Sequence, residues 1–366
     1  MTFIENRESI KRPFHELAPV GEIIEVSHEL VHDIYGRNFE RRQVIVGDES
    51  DRDPEKRNAY FEKANKFEAM LKGHPEWQAP YVSSDGQLVV DRENLAADDL
   101  YFEDSRETQM FEWGHQMMQA IALEPLQNLG RGGQFLSRGH LDQRTLERFT
   151  FMPDGRGLRS RQHIYSQLLV EQAKRTPGET LNIISLGSGA AVPNIEASQR
   201  IERETGKRIN WQLFDLDPNA LFHAQSMTNR SGLSLSRFDF GPQDSDPNTA
   251  GFAGRSYIEA RHQANESLDA VDALGLWEYL EQNQAVMFLK MMYAKLKPGA
   301  PMIVSNMRKE RPQPEYNMRA VGWPKLIMRN EQDLLDIVQL AKIDTKQVTI
   351  THSTDGVYAV MEVVKV

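Results

Sequence analysis

A short glycine-containing segment follows the apolar run 181–186. Gly187, Ser188 and Gly189 stand directly after that run and before a stretch with the apolar spacing of a helix. Glycines at such a turn let the backbone approach a ligand closely, and the N–H groups of the first helical turn point toward the bound molecule. A tight turn that binds nothing would use the same residues. The segment therefore predicts a ligand-binding loop, with plain turn geometry as the alternative.

Acidic residues follow the next two apolar runs. Asp215, next to Leu216, ends one run, and a carboxylate at that strand end would accept two hydrogen bonds from the hydroxyl groups of a ribose. Asp239 and Phe240 end the following run, where the carboxylate would accept from an exocyclic amine and the ring would contact a base. With the glycine segment, these residues predict a nucleoside-binding site.

The fourth apolar run ends at Leu274 and Gly275 and leads into Trp277, Glu278 and Tyr279. Glu278 and Tyr279 are the candidate catalytic residues, with Glu278 as a general base or as a carboxylate that orients an amine. A carboxylate acceptor would need no base at all. Trp277 would form a wall against an apolar or planar acceptor, or would pack in the core.

The segment upstream of the glycines is rich in arginine, although the whole chain is acidic. Because a guanidinium group pairs with a carboxylate or a phosphate through two hydrogen bonds, Arg159 and Arg161 are candidates for holding an anionic substrate. Tyr165 follows Arg161 by one helical turn and would join the same pocket. Met307 and Trp323, from the segments after the fifth run, would add to its wall. Solvated arginines paired with neighbouring acids are the alternative for this cluster.

These residues need a scaffold that brings the ends of several strands together. From residue 181 onward strand-like and helical stretches alternate, which predicts a doubly wound, Rossmann-like α/β sheet of seven strands. The Asp355-Gly356 turn predicts an antiparallel hairpin at the C-terminal end of the sheet. Residues 1–155 are expected to form a mostly helical accessory region that covers the substrate, and residues 156–366 the domain that carries the sheet.

Composition excludes several classes of chemistry. The chain has 366 residues, 43 basic and 53 acidic side chains and no cysteine, which excludes disulfides, cysteine-ligated metals and thiol nucleophiles. The histidines lack metal-ligand spacing, so no metal is expected. A net charge of −10 argues against a nucleic-acid partner, and no apolar stretch predicts a membrane span. The first residues do not have the pattern of a secretory signal, so a cytoplasmic location is expected.

The segment 181–366 resembles the class I S-adenosylmethionine (SAM)-dependent methyltransferases. The resemblance rests on LGSGAA after the first strand, DLDP after the second, an acid after the third, and LKPG before the fifth. It implies SAM as the cofactor, with the glycines beside its methionine moiety, the first acid on its ribose and the next acid beside its adenine. The cofactor-binding residues implied are Gly187, Ser188, Gly189, Asp215, Leu216, Asp239, Phe240, Leu274 and Gly275.

Two positions depart from the pattern of that family. Ser185 stands where the family usually has an acid that orders the loop, and Ala191 stands where it usually has a third glycine. A dinucleotide-binding enzyme is the rival for such a loop, but it normally carries G-x-G-x-x-G, and residue 192 is valine. SAM has no phosphate and suits GSGAAVP better. The SLGSG and GLWEYL segments are also similar to bacterial methyltransferases that esterify hydroxy fatty acids.

The expected activity is methyl transfer from SAM to an oxygen, nitrogen or carbon atom of a small, anionic metabolite by in-line displacement. The lack of cysteine excludes methylation of pyrimidine C5 through a covalent adduct, and it excludes radical methylation through clustered cysteines. Methylation of a protein side chain is one alternative, and a non-catalytic SAM-binding regulatory subunit is another. A homodimer formed through the N-terminal region is a further expectation.

Overall fold

The computed structural model describes most of the chain after residue 17. The described ranges are 18–73, 149–215, 218–240, 263–320 and 326–366, with residue 147 and the strand residues 81–82 and 88–89. Leu216 and Trp323, both predicted as site residues, lie outside the described residues.

The strands of the described chain form one large mixed sheet and one small hairpin. The hairpin pairs β3 with β4, and the large sheet has the order β1-β2-β10-β11-β9-β8-β5-β6-β7. The bounds are β1 (Ile23–His32), β2 (Asn38–Val46), β3 (Tyr81–Val82), β4 (Leu88–Val89), β5 (Thr180–Leu186), β6 (Arg208–Phe214), β7 (Phe238–Asp239), β8 (Ala270–Ala273), β9 (Pro301–Met307), β10 (Val348–Ser353) and β11 (Tyr358–Val364).

Strand direction follows the pattern expected of a doubly wound sheet. β5 runs parallel to β6 and β8, and β9 runs parallel to β8. β11 is antiparallel to both β9 and β10, so the C-terminal hairpin inserts into the sheet rather than extending its edge. The predicted α/β class and the antiparallel C-terminal hairpin are confirmed.

Local sequence signals set the ends of several helices. Pro153 occupies the first helical position of α2, where its missing N–H leaves no bond unmade. Gly206, with φ of 69°, ends α3, and Asn330 and Asp333 form a reciprocal capping box at the start of α6. The helices of the described chain are α1 (Pro54–Gly73), α2 (Pro153–Arg175), α3 (Val192–Thr205), α4 (Pro218–Arg230), α5 (Gln282–Lys295) and α6 (Glu331–Leu340).

Helices cover both faces of the sheet. On one face the apolar side chains of α2, α3 and α4 pack around the buried Trp211 of β6. On the other face α5 and α6 contribute Phe288 and Leu335 to a second apolar cluster. None of the described helices combines the length and the apolar character needed to cross a membrane.

The sheet has nine strands instead of the predicted seven. The two extra strands, β1 and β2, come from the N-terminal region that the sequence predicts to be mostly helical, and β2 pairs in parallel with β10. A register shift between Glu25 and Ser27 breaks the alternation of β1, and Leu30 is 63% exposed. Because neither face of β1 is consistently apolar, its sequence lacks the usual signal of a strand. The boundary predicted near residue 155 stays a prediction.

Candidate functional site

The crevice between the carboxyl ends of β5 and β8 lies where the strand order of the sheet reverses. From β5 the order continues to β6 and β7 on one side, whereas β8 and β9 lie on the other. Ligands of doubly wound sheets bind outside the strand ends at such a point. The segments that follow β5 and β8 therefore line the candidate site.

The segment after β5 has a backbone shape that favours glycine. Gly187 and Gly189 have φ values of 67° and 55°, in the left-handed region. The N–H groups of Gly187 and Ser188 donate to the carbonyl oxygen of Phe214 at 2.8 and 3.1 Å, which ties the loop to the end of β6. Ala191 adopts a φ of 57° despite its side chain and begins α3 as its N-cap. The loop therefore keeps its turn without a third glycine.

The carboxylate of Asp215 lies against this loop. Its Oδ2 accepts a hydrogen bond from the N–H of Gly189 at 2.7 Å, and the residue is half-buried. Asp239, at the end of β7, is exposed, and the buried ring of Phe240 stacks on Phe238 with the ring centroids 5.9 Å apart. The glycine loop and the two acids thus follow one another along adjacent strand ends, in the order predicted for a nucleoside.

Open space and an unpartnered hydroxyl group adjoin the glycine loop. A Cβ atom added at Gly275, after β8, would meet only the carbonyl oxygen of Gly187, at 4.0 Å. The hydroxyl oxygen of Ser188 is buried and has no hydrogen-bond partner, so a polar group of a ligand would satisfy it. Three features together fit the ribose and methionine moieties of SAM. They are the space between the backbones of Gly187 and Gly275, the unpartnered hydroxyl of Ser188 and the carboxylate of Asp215.

Glu278 lies in the 3₁₀ turn Trp277–Tyr279 that follows β8, and its side chain is buried. Its Oε1 accepts a hydrogen bond from the N–H of Met307 at 3.0 Å, which joins this turn to the end of β9. Burial raises the pKa of Glu278 to about 7, although the charge of Arg161 and the N–H of Met307 favour the ionised form. A carboxyl group with that pKa exchanges a proton near neutral pH, as a general base requires.

Arg161 reaches the same place from α2. Its Nη1 donates to the carbonyl oxygen of Leu274 at 3.1 Å and to Oγ of Ser305 at 3.4 Å, and it lies 4.0 Å from Oε1 of Glu278. The guanidinium group also lies over the ring of Tyr358, 4.6 Å from the centroid. Arg161 therefore places a buried positive charge beside the segment that follows β8.

Two further arginines near Glu278 were not singled out from the sequence. Nη2 of Arg311 lies 2.7 Å from Oδ1 of Asp154, and both side chains are buried. Arg329 donates from Nη1 to the carbonyl oxygen of Trp277 at 2.7 Å and so holds the turn that carries Glu278. Charged residues in polar loops give no sign of burial, so the sequence offers no signal for either arginine.

Arg159 has a partner away from the crevice. Its Nε and Nη2 donate to the carboxylate of Asp48 at 2.5 and 2.8 Å, and its Nη1 donates to the carbonyl oxygen of Phe149 at 3.0 Å. Burial alone would raise the pKa of Asp48, but the charge of Arg159 holds it well below its usual value. Arg159 thus ties the segment before α1 to α2, and its predicted grip on an anionic substrate stays a prediction.

Of the remaining predicted side chains, Tyr165, Trp277 and Met307 are buried and Tyr279 is half-buried. Tyr165 is fully buried, and its hydroxyl donates to Oδ2 of Asp272 at 2.6 Å. Trp277 is fully buried in the apolar cluster under α5 and α6, so core packing, the alternative reading of this residue, describes it. Met307 and Tyr279 join a third cluster, which includes apolar side chains of α1.

Groups of three or more histidine, aspartate or glutamate side chains suited to holding a metal ion do not occur among the described residues.

Several solved structures are similar to this chain at low sequence identity. No protein-family model matches the sequence, and no curated protein matches it. A possible exported protein from Bordetella parapertussis is similar with a TM-score of 0.48 and 13% identity, over 85% of this chain and 95% of that one.

Methyltransferases are among the similar structures. Magnesium protoporphyrin IX methyltransferase from Synechocystis PCC 6803, with bound SAH, has a TM-score of 0.42 and 13% identity, over 68% of this chain and 99% of that one. The SAM-dependent methyltransferase SibL in its apo form has a TM-score of 0.41 and 16% identity, over 71% of this chain and 74% of that one. At these values the proposed function rests on the geometry of the site.

Proposed function

We propose that this protein is a SAM-dependent methyltransferase. The crevice between β5 and β8 carries the proposal, because the backbones of Gly187 and Gly275 face each other there and Asp215 lies against the loop. A nucleoside needs a carboxylate at the end of the second strand and a close backbone at the first. Both are present at the point where the strand order reverses.

Each residue of the donor half has a distinct role in this proposal. Asp215 accepts hydrogen bonds from the ribose hydroxyl groups, and Asp239 and Phe240 flank the adenine. The buried hydroxyl of Ser188, which has no partner within the described chain, bonds to the methionine moiety. When bound, SAM supplies a methyl group activated by its sulfonium. The protein contributes the alignment of donor and acceptor.

Glu278 and Arg161 form the acceptor half of the site. Glu278, with a pKa raised by burial to about 7, takes the proton that an oxygen or nitrogen acceptor loses. Tyr279 stands next to it in the same turn. Arg161 holds an anionic group in this proposal, because among the described residues the nearest carboxylate oxygen is that of Glu278, 4.0 Å away. A small, anionic metabolite is therefore the proposed acceptor.

Calorimetry with SAM, S-adenosylhomocysteine and NAD tests the donor half. The first two should bind and NAD should not. Incubation with methyl-labelled SAM then tests the acceptor, first in an extract of soluble metabolites and then with extracted protein. Label in a small anionic product supports the proposal, and label in protein supports side-chain methylation. Binding of NAD contradicts the proposal, and binding of SAM without any transfer supports a regulatory subunit.

A homodimer through the N-terminal region is part of the proposal. β1 is an edge strand of the described sheet, and Leu30 on it is 63% exposed. Antiparallel pairing with β1 of a second copy, centred between His28 and Glu29, would set those two residues opposite each other and Glu25 opposite His32. Sedimentation should give a dimer for the wild-type protein and a monomer for Leu30→Lys. A wild-type monomer contradicts this part of the proposal.

A cytoplasmic location and the lack of a nucleic-acid or membrane partner stay predictions. Fractionation of the source cells tests the location, and recovery of the protein with membranes or with nucleic acid would contradict the others.

A further inference from the structure

A buried polar network connects the two segments that line the crevice. Asp272 of β8 accepts a hydrogen bond from the hydroxyl of Ser185 at 2.7 Å and another from the hydroxyl of Tyr165 at 2.6 Å. Nδ2 of Asn194 approaches the hydroxyl oxygen of Tyr165 at 3.3 Å and Oδ2 of Asp272 at 3.4 Å. Each of the four residues is at most 2% exposed.

Three of these residues lie at the bases of the segments that line the crevice, and the fourth, Tyr165, reaches Asp272 from α2. Ser185 is near the end of β5, just before Gly187, and Asn194 lies in the first turn of α3, just after the glycine segment. Asp272 lies on β8, three residues before Gly275, and pairs with Ser185 in the parallel register of β5 and β8. The carboxylate of Asp272 on β8 thus contacts residues at both ends of the glycine loop, Ser185 before it and Asn194 after it.

Burial of the Asp272 carboxylate costs free energy of hydration. The donors to Asp272 are two hydroxyl groups and an amide, all neutral. Burial raises the pKa of Asp272 to about 7, because these neutral donors offset the loss of hydration only in part. Apolar residues of similar volume are often at least as stabilising as a buried charge. A fully bonded polar network instead specifies one arrangement of its elements, which a binding crevice needs.

We propose that Asp272 is the positioning residue of the donor site. Its carboxylate, supplied by β8, holds the glycine loop after β5 and the start of α3 in the geometry that binds the donor, and it does so without touching the donor. The inference rests on the proposed function, since the crevice must bind SAM for this role to exist. Ser185 and Tyr165 act through the carboxylate and are not catalytic residues.

The first variant changes the charge and keeps the shape. Asp272→Asn replaces one carboxylate oxygen by an NH₂ group, which cannot accept the hydrogen bond of Ser185 or Tyr165. The dissociation constant of SAM, measured by calorimetry, should rise about tenfold. The matched control is Ile337→Val, a core change in α6 on the opposite face of the sheet. It should lower the melting temperature and leave the SAM dissociation constant unchanged.

The second variant moves the carboxylate to the neighbouring strand. Because Ser185 and Asp272 are register partners, the exchange Ser185→Asp with Asp272→Ser keeps one carboxylate and one hydroxyl at the same place. This exchange should return the SAM dissociation constant to within about threefold of the wild-type value. A role limited to stability would restore the melting temperature without restoring the affinity.

Two results overturn the inference. One is an unchanged SAM affinity in Asp272→Asn, and the other is an exchange variant that regains the wild-type melting temperature without regaining affinity. If Asp272→Asn does not fold, Ser185→Ala and Tyr165→Phe each remove one donor and should weaken SAM binding at least threefold. Wild-type affinity in both of those variants also overturns it. A wild-type protein that binds no SAM contradicts the proposed function itself, which is a separate result.

Discussion

The donor and acceptor halves of the candidate site differ in whether backbone or side chains form them. The donor half is mainly backbone, shaped by Gly187, Gly189 and Gly275, with the half-buried Asp215 against it. The acceptor half consists of buried charged side chains that several elements bring together, such as Arg161 of α2 near Glu278 of the turn after β8. The two halves should therefore respond differently to mutation.

Stability and binding should separate along this division. Next to the acceptor half, the buried pair of Arg311 and Asp154 joins the segment after β9 to α2, so the loss of one partner leaves the other charge buried without it. In the donor half the side chains are few and partly hydrated, so a change there should weaken ligand binding more than folding. The following variants test this division, beginning with the largest expected effect.

Arg311→Met should produce the largest loss of stability. It leaves the carboxylate of Asp154 buried without the guanidinium group 2.7 Å away, and the free energy of unfolding should fall by about 3–5 kcal/mol. Urea denaturation measures the loss. The double variant Arg311→Met with Asp154→Asn removes both charges and should recover most of it, while SAM affinity stays near the wild-type value. A double variant as unstable as the single one would show that the pair is not coupled.

Glu278→Gln should change the pH dependence of stability. Burial raises the folded-state pKa of Glu278 to about 7. The contribution of Glu278 to the free energy of unfolding is therefore fully present below pH 4.5 and is lost as the pH rises through 7. Glutamine removes this proton linkage. Between pH 4.5 and pH 8, the free energy of unfolding of the variant should therefore rise by about 2–3 kcal/mol relative to that of the wild type. An equal stability difference at both pH values would contradict a raised pKa.

Asp215→Ala should weaken SAM binding by about 1–3 kcal/mol, because two ribose hydroxyl groups lose their acceptor. The half-buried carboxylate makes a hydrogen bond to the N–H of Gly189, so the unfolding free energy should fall by no more than about 1 kcal/mol. Calorimetry and thermal unfolding measure the two effects. Glu179→Ala, an exposed acid just before β5, is the control and should change neither. Unchanged affinity in Asp215→Ala would remove the ribose assignment.

Gly275→Ala should have the smallest effect on folding. Gly275 is not in the left-handed region, and its added Cβ would meet only the carbonyl oxygen of Gly187, at 4.0 Å, so the unfolding free energy should change by less than about 0.5 kcal/mol. The added methyl group enters the crevice, however. SAM affinity should fall about threefold to tenfold. A large loss of stability with unchanged SAM affinity would contradict the expectation that changes in the donor half weaken binding more than folding.

Local patterns in the sequence predicted most of the sheet. The apolar run 181–186 corresponds to β5, most of which is buried, and the predicted Asp355-Gly356 turn joins β10 to β11. β1 and β2 were missed because β1 is half exposed and carries a register shift. Their place in the sheet depends on pairing between β2 and β10, and no local pattern encodes a contact between residues about 300 positions apart.

The partners of buried side chains were the part of the site that the sequence could not supply. Arg161 and Arg159 are two residues apart and chemically equal, yet one lies beside Leu274 and Glu278 and the other pairs with Asp48. In an α-helix a difference of two positions turns the side chain through more than half a circle. Which arginine faced the crevice therefore depended on how α2 packs.

Local sequence patterns were sufficient to predict the glycine turn after β5, the acids at the ends of β6 and β7, and the alternation of strands and helices in a doubly wound sheet. Those features depend on backbone freedom and on the burial of neighbouring residues, which are local properties. Three contacts are visible only in the folded chain: Asp272 accepts a hydrogen bond from Ser185, Trp277 packs in the core, and Arg311 pairs with Asp154. These contacts join segments that are distant in the sequence. Their charge pairs and hydrogen bonds are stronger than in water because they are buried at a low local dielectric constant.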